Sequence, residues 1–141
     1  MAGRLSPGAQ VRLADLAALQ EKVHRVHGLV EQFAAARTGG EHFLLPITRT
    51  FGQLKMQFMA GGFDAMSQLA GSMEIAARRG LSPTARVRVL REGVGSLRFQ
   101  VELAQRLVVS EDQRMAASAD AGTRPETPPD GGSSAAAETD N

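Results

Sequence analysis

The chain has 141 residues, a net charge of +1, six Phe, no Trp or Tyr and no Cys. That length suits a single hydrophobic core, and the Ala- and Leu-rich, aromatic-poor composition favours helices over a β-sandwich. Without cysteine, disulfides, thiolate metal sites and a cysteine nucleophile are excluded. The opening MAGRLSPGAQ has no apolar stretch of signal-peptide kind, and no segment reaches the roughly 18 apolar residues of a membrane span. A cytoplasmic protein without a membrane partner is therefore expected.

In chain order, residues 1–7 read as a flexible lead. The first helix is expected from about Gly8 to Arg37, with a seam of Leu16, Leu19, Val23, Val26, Val30 and Phe33 that alternates steps of three and four. Thr38-Gly39-Gly40 ends it. The second, about Glu41 to Ala60, carries Leu44, Ile47, Phe51, Leu54 and Phe58, with Pro46 near its first turn, where a missing N–H is tolerated. Gly61-Gly62 separates it from the third, about Phe63 to Arg79, with Phe63, Met66, Ala70, Met73 and Ala77. Gly80 is expected to cap that helix, and Ser82-Pro83 supplies an N-cap with proline at the first helical position. The fourth helix, about Pro83 to Gln113, repeats the pattern through Val87, Leu90, Val94, Leu97, Val101, Ala104 and Val108. Gly93 and Gly95 within it mark close packing or a bend.

One apolar stripe per helix, joined by short connections, implies an all-α, antiparallel, up-down-up-down four-helix bundle over residues 8–113. Residues 114–141 turn to Ala, Gly, Ser, Pro and acids, with almost nothing large to bury, and are expected to be disordered. From Ala116 onward Asp120, Glu126, Asp130, Glu138 and Asp140 stand against Arg124, which leaves a mildly basic body.

Within Gly52 to Gly80, GQLKMQFMAGGFDAMSQLAGSMEIAARRG, Leu54-Lys55 matches the Leu-Lys of a His-x-Leu-Lys-Gly-Ser/Ala motif. Gly62, Leu69, Ala70, Met73, Glu74, Ala76, Ala77 and Gly80 then fall without a gap on the small, apolar, Leu-x-x-Glu and closing-glycine positions that follow it. By these residues the chain resembles the histidine phosphotransfer domains of two-component signalling, over about 30 residues by motif and about 105 by helix order and length. The resemblance implies a bundle that presents an exposed face on its second helix to receiver domains. Gly52 stands where that family has its phosphoryl-accepting histidine, and Met56 where it has the glycine after the lysine. Glycine has no nucleophile. What is implied is a degenerate member, not an enzyme, that binds a response-regulator receiver or a histidine kinase through Arg49, Gly52, Gln53, Lys55, Met56 and Met59. Gly52 itself reads either as a point of close backbone approach or, the favoured reading, as drift after the histidine was lost.

Other chemistry is sparse. His24 and His27 lie three apart on the first helix, without a Cys or carboxylate partner to make a metal site, and read as surface or boundary residues. His42-Phe-Leu-Leu-Pro46 is faintly similar to the box of histidine kinase dimerisation helices, but its proline comes one residue early and no acid follows the histidine. Gln53 and Gln57, one turn apart, are compatible with a receiver phosphatase that orients water with an amide, although their helix lacks the accompanying acid. Arg78, Arg79, Arg86, Arg88 and Arg91 form a cluster that offers a second reading, a basic module for nucleic acid or another anion. No aromatics interleave them for stacking on bases, so a solvated bundle end is preferred. No cofactor or metal is expected. The long first-helix seam leaves room for a homodimer.

Overall fold

Leu16, Val23, Val26 and Val30 are completely buried, and with Leu19 and Phe33 they make the whole expected first seam part of the core. The structure, a computed structural model, describes residues 4–36 and 38–122. Four α-helices carry it: α1 (Pro7–Ala35), α2 (Leu44–Ala60), α3 (Asp64–Arg78) and α4 (Pro83–Gly122). There is no strand among the described residues. A short 3-10 helix, Gly40–Phe43, leads into α2.

The helix ends follow from local chemistry. Ser6 caps α1 by accepting a hydrogen bond from the Ala9 N–H at 3.2 Å, ahead of Pro7. Ser82 does the same for Ala85 at 3.3 Å, ahead of Pro83. At the end of α2, Gly62 takes φ 81°, a left-handed value that a side chain resists. This lets the Phe63 N–H reach the Phe58 carbonyl at 2.8 Å and the Gly62 N–H reach Met59 at 3.1 Å, so two orphan carbonyls are satisfied. The Phe58 and Phe63 rings close the turn edge to face, with centroids 6.5 Å apart.

The seams of α2, α3 and α4 also point inward. Ile47, Phe51, Leu54 and Phe58 meet Met66, Ala70, Met73, Ala77, Leu90, Val94, Leu97 and Val101 in one core with the α1 residues. A smaller cluster of Ala9, Leu16 and Val108, covered by Leu5, Leu13 and Phe63, extends the core toward the start of α1. Each helix packs on two others: α1 on α2 and α4, and α3 on α2 and α4. Side-chain ties between α1 and α4 join Ser6 to Asp112, Gln20 to Gln105 and Glu31 to Arg91, one number rising as the other falls. Across α2 and α3, Ser67 bonds the Lys55 carbonyl and Lys55 pairs with Glu74. Ser67 is the buried polar residue of this core, and its hydroxyl donates to that carbonyl at 2.9 Å.

Several expectations need correction. The helix of α4 runs to Gly122, past the expected end at Gln113. Its last turns expose their side chains from Gln113 to Ala119, so alanine-rich propensity, not burial, extends it. The remainder of the expected disordered segment, 123–141, lies outside the described residues. At the other end Leu5 packs and Ser6 is bonded to Asp112, so the helix-capping chemistry begins inside the expected 1–7 lead, of which residues 1–3 are not described. Gly80 is not a left-handed cap, because α3 stops at Arg78 with Arg79 already extended. Gly95 does not interrupt α4. Finally, the α1 seam is enclosed by the chain's own helices and is not free to pair with a second copy.

Candidate functional site

With Phe51, Leu54 and Phe58 turned into the core, the 3.6-residue period leaves Arg49, Gln53, Met56 and Met59 on the outside of α2. Gly52 and Lys55 lie at the boundary. Met56 is 61% exposed and Met59 is exposed too, on a helix whose inner face is fully sealed. The Lys55 side chain is partly exposed. A shallow depression of about 710 Å3 is lined by Lys22 from α1, by Arg49, Gly52, Gln53, Lys55, Met56 and Gln57 from α2, and by Glu74 from α3. Five of the six residues expected at the face line it, and Met59 stands one turn beyond Met56.

The floor of the depression is set by Glu74. Its carboxylate is held by Lys55 Nζ at 3.2 Å and by Arg78 at 3.0 Å, and the side chain is 15% exposed. A Cβ on Gly52 would lie 2.9 Å from Glu74 Oε2. Glycine at 52 is therefore the residue that lets a carboxylate from the neighbouring helix close over α2. This is a close approach at Gly52, though by a side chain and not by a backbone. Sequence reasoning placed Glu74 on a family motif and did not foresee it at the face. Lys22 was missed altogether, since its position depends on how α1 packs on α2. It reaches Gln53 Oε1 at 3.4 Å.

The electrostatics are lopsided. Lys22, Arg49, Lys55 and Arg78 surround one carboxylate, Glu74, among the residues that line the depression or bind its acid. The face is thus a cationic rim with a neutralised centre and two methionines at its edge.

The five-arginine cluster is not assembled as a single cationic patch. Arg78 belongs to the Glu74 pair. Arg91 makes a two-pronged bond to Glu31 at 2.8 and 2.7 Å, which holds the Glu31 carboxyl below its ordinary range. Arg86 folds back to donate to the Arg79 carbonyl. A cleft of about 590 Å3 at that end includes Arg86, Arg88 and Arg91 but also Glu41 and Glu92, so its walls are of mixed sign.

The histidines are dispersed. His24 and His27 have ring centroids 6.5 Å apart, and His27 Nε2 lies 3.8 Å from Glu31, a carboxylate neighbour that the sequence reading had not assigned. That carboxylate is already engaged by Arg91, and no group of three metal-binding side chains occurs among the described residues. His42 sits in the 3-10 helix, outside α2, with Nδ1 2.6 Å from the Gly39 carbonyl and its ring against Phe43. Gln53 and Gln57 both reach the depression, and the acid their own helix lacks is supplied there by Glu74. That acid is occupied by two cations.

No protein-family model matches the chain, no curated protein matches it, and no solved structure matches it. No described helix is long and apolar enough to cross a membrane.

Proposed function

We propose that the chain is an antiparallel, up-down-up-down four-helix bundle that serves as a non-catalytic adaptor in two-component signalling. In this reading it resembles a histidine phosphotransfer domain, works in the cytoplasm, and binds a receiver domain or histidine kinase. The opposed numbering of the ties between α1 and α4, and of Gly52 against Glu74, Lys55 with Ser67 and Phe58 with Phe63 across α2 and the start of α3, supports the topology. One observation carries the function: the face around position 52 sets two exposed methionines beside cationic side chains and carries no histidine. Cations at Lys22 and Arg49, flanking the Lys55–Glu74 pair, offer complementarity to an acidic surface, and the adaptable thioethers of Met56 and Met59 supply apolar area beside them. No imidazole lines the depression.

The test is titration of the full chain against receiver domains, followed by Met56→Glu and Lys55→Glu. Each change should lower affinity at least about tenfold, since each sets a negative charge against an acidic partner. Unchanged binding after both would remove this face from the reading.

A basic module for nucleic acid is the weaker alternative, because Arg78 and Arg91 are neutralised and Arg86 is folded back. Steep loss of nucleic-acid binding with added salt and with Arg86→Ala plus Arg88→Ala would favour it. A receiver phosphatase using Gln53 or Gln57 is the third reading, and incubation with a phosphorylated receiver would expose it.

A further inference from the structure

The inner face of α4 is buried through Leu90, Val94, Leu97, Val101 and Val108. Its outer face carries Phe99, Leu103 and Leu107, which are 61%, 40% and 49% exposed. Three large apolar side chains in sequence on one free helix face form a patch rather than scattered residues. The helices that pack on α4 are α1 and α3; Leu103 and Leu107 border a cleft shared with Arg12, Phe63 and Met66, and all three apolar side chains keep their outer surface exposed.

The pattern along that face is symmetric about Leu103. Phe99 and Leu107 lie four residues to either side, Ser96 and Ser110 lie seven away, and Glu92 and Arg114 lie eleven away. All of these side chains are exposed. The spacing averages roughly 3.7 residues, close to the helical period, so they form one straight line roughly 33 Å long.

We propose that this line is the contact surface for a second copy of the chain, with two α4 helices packed antiparallel about a twofold axis at Leu103. A twofold contact is self-complementary, so each residue must suit the one equally far beyond the axis. Here the match holds at every step. Leu103 meets Leu103, Phe99 of each copy meets Leu107 of the other, and Ser96 meets Ser110. Glu92 of each copy meets Arg114 of the other, which gives two opposite-charge pairs per dimer. Neither residue has an ionic partner within its own chain among the described residues. A parallel arrangement would set Glu92 on Glu92 and Arg114 on Arg114, so the charges select the antiparallel one. The depression at Gly52 is formed by α1, α2 and α3, so this contact surface on α4 is separate from it.

The test is sedimentation equilibrium on the full chain over a range of concentrations. The mass should rise from the 15.0 kDa monomer toward twice that value. Leu103→Glu sets two carboxylates together on the axis and should weaken association more than about a hundredfold. Leu103 lies outside the core, so the variant's helicity and melting temperature should be retained, which separates a lost contact from a lost fold. Glu92→Arg and Arg114→Glu should each weaken association by about tenfold alone. Mixed in equal amounts they should recover it, because their heterodimer restores both opposite-charge pairs. A chain that remains monomeric at about 0.5 mM overturns the proposal. So does association that survives Leu103→Glu, or single-charge variants that are not rescued by mixing.

Discussion

Glu74 on α3 fills the space that a side chain at position 52 of α2 would need: its Oε2 lies 2.9 Å from the Cβ position of Gly52. The glycine and the carboxylate are coupled. Any larger residue at 52 must shift the Glu74 carboxylate that Lys55 and Arg78 hold, so the charge arrangement on this face depends on a missing methyl group.

Three helical glycines should consequently respond differently to alanine. Gly95 has open space around its Cβ position, and alanine there should stabilise the fold by about 0.5–1 kcal/mol through helix propensity. Gly52→Ala should gain less, because it displaces the flexible end of Glu74 from a surface ion pair. Gly93→Ala should destabilise by about 1–3 kcal/mol, since its Cβ would fall on the buried side chain of Met73. Urea unfolding of the three variants measures the order, and Met73→Ala should relieve the Gly93→Ala defect. A stabilised Gly93→Ala would show that α3 and α4 are not packed as described.

Neutralising the central acid should strengthen binding to an acidic partner. Glu74→Gln removes the carboxylate that lines the depression and frees Lys55 and Arg78. Affinity for a receiver domain should rise by about threefold to tenfold, with a steeper dependence on salt. Calorimetric titration at two ionic strengths reads both effects, and weaker binding by Glu74→Gln would assign the carboxylate a direct role in contact.

Acid should loosen the α1–α4 pair first. The Ser6 hydroxyl, with help from its backbone N–H, holds the Asp112 carboxyl below the ordinary range. The bond from Arg91 does the same for Glu31, with smaller contributions from the charges of Arg91 and His27 and against the opposing effect of desolvation. A carboxyl depressed in the folded state adds stability above its unfolded pKa and loses that stability as pH falls through the folded one. The window is therefore below about pH 4, and the effect is small because both groups are at the surface. Thermal melts of Asp112→Asn and Glu31→Gln should show a shallower fall in Tm between about pH 5 and pH 3 than the parent chain. Equal slopes would mean that these ties do not persist in solution.

The core was readable in advance because its period is uninterrupted. Every α1 seam residue from Leu16 to Phe33 is buried, and the same seven-residue logic located the inner faces of α2 to α4. The end of α4 was not readable, because the composition of 116–122 describes an exposed alanine-rich helix as well as a loop. At the candidate site Lys55, expected outward, lies at the boundary against Glu74, whereas the outward turn of Met56 followed from periodicity. The contribution of Lys22 and Glu74 did not, since it depends on how neighbouring helices are set side by side. For the arginine cluster, the Arg78 pairing with Glu74 one turn earlier lies within the same helix, whereas the Arg91 pairing with Glu31, 60 residues away, depends on how α1 and α4 pack.

The most direct measurement combines binding and phosphate chemistry on one sample. The full chain is titrated with phosphorylated and unphosphorylated receiver domains, and its histidines are then assayed for acid-labile phosphate. The expected result is saturable binding that Lys55→Glu or Met56→Glu weakens at least about tenfold, with no phosphoryl group on His24, His27 or His42. Phosphate recovered on any of those histidines, or binding indifferent to both substitutions, would contradict the account.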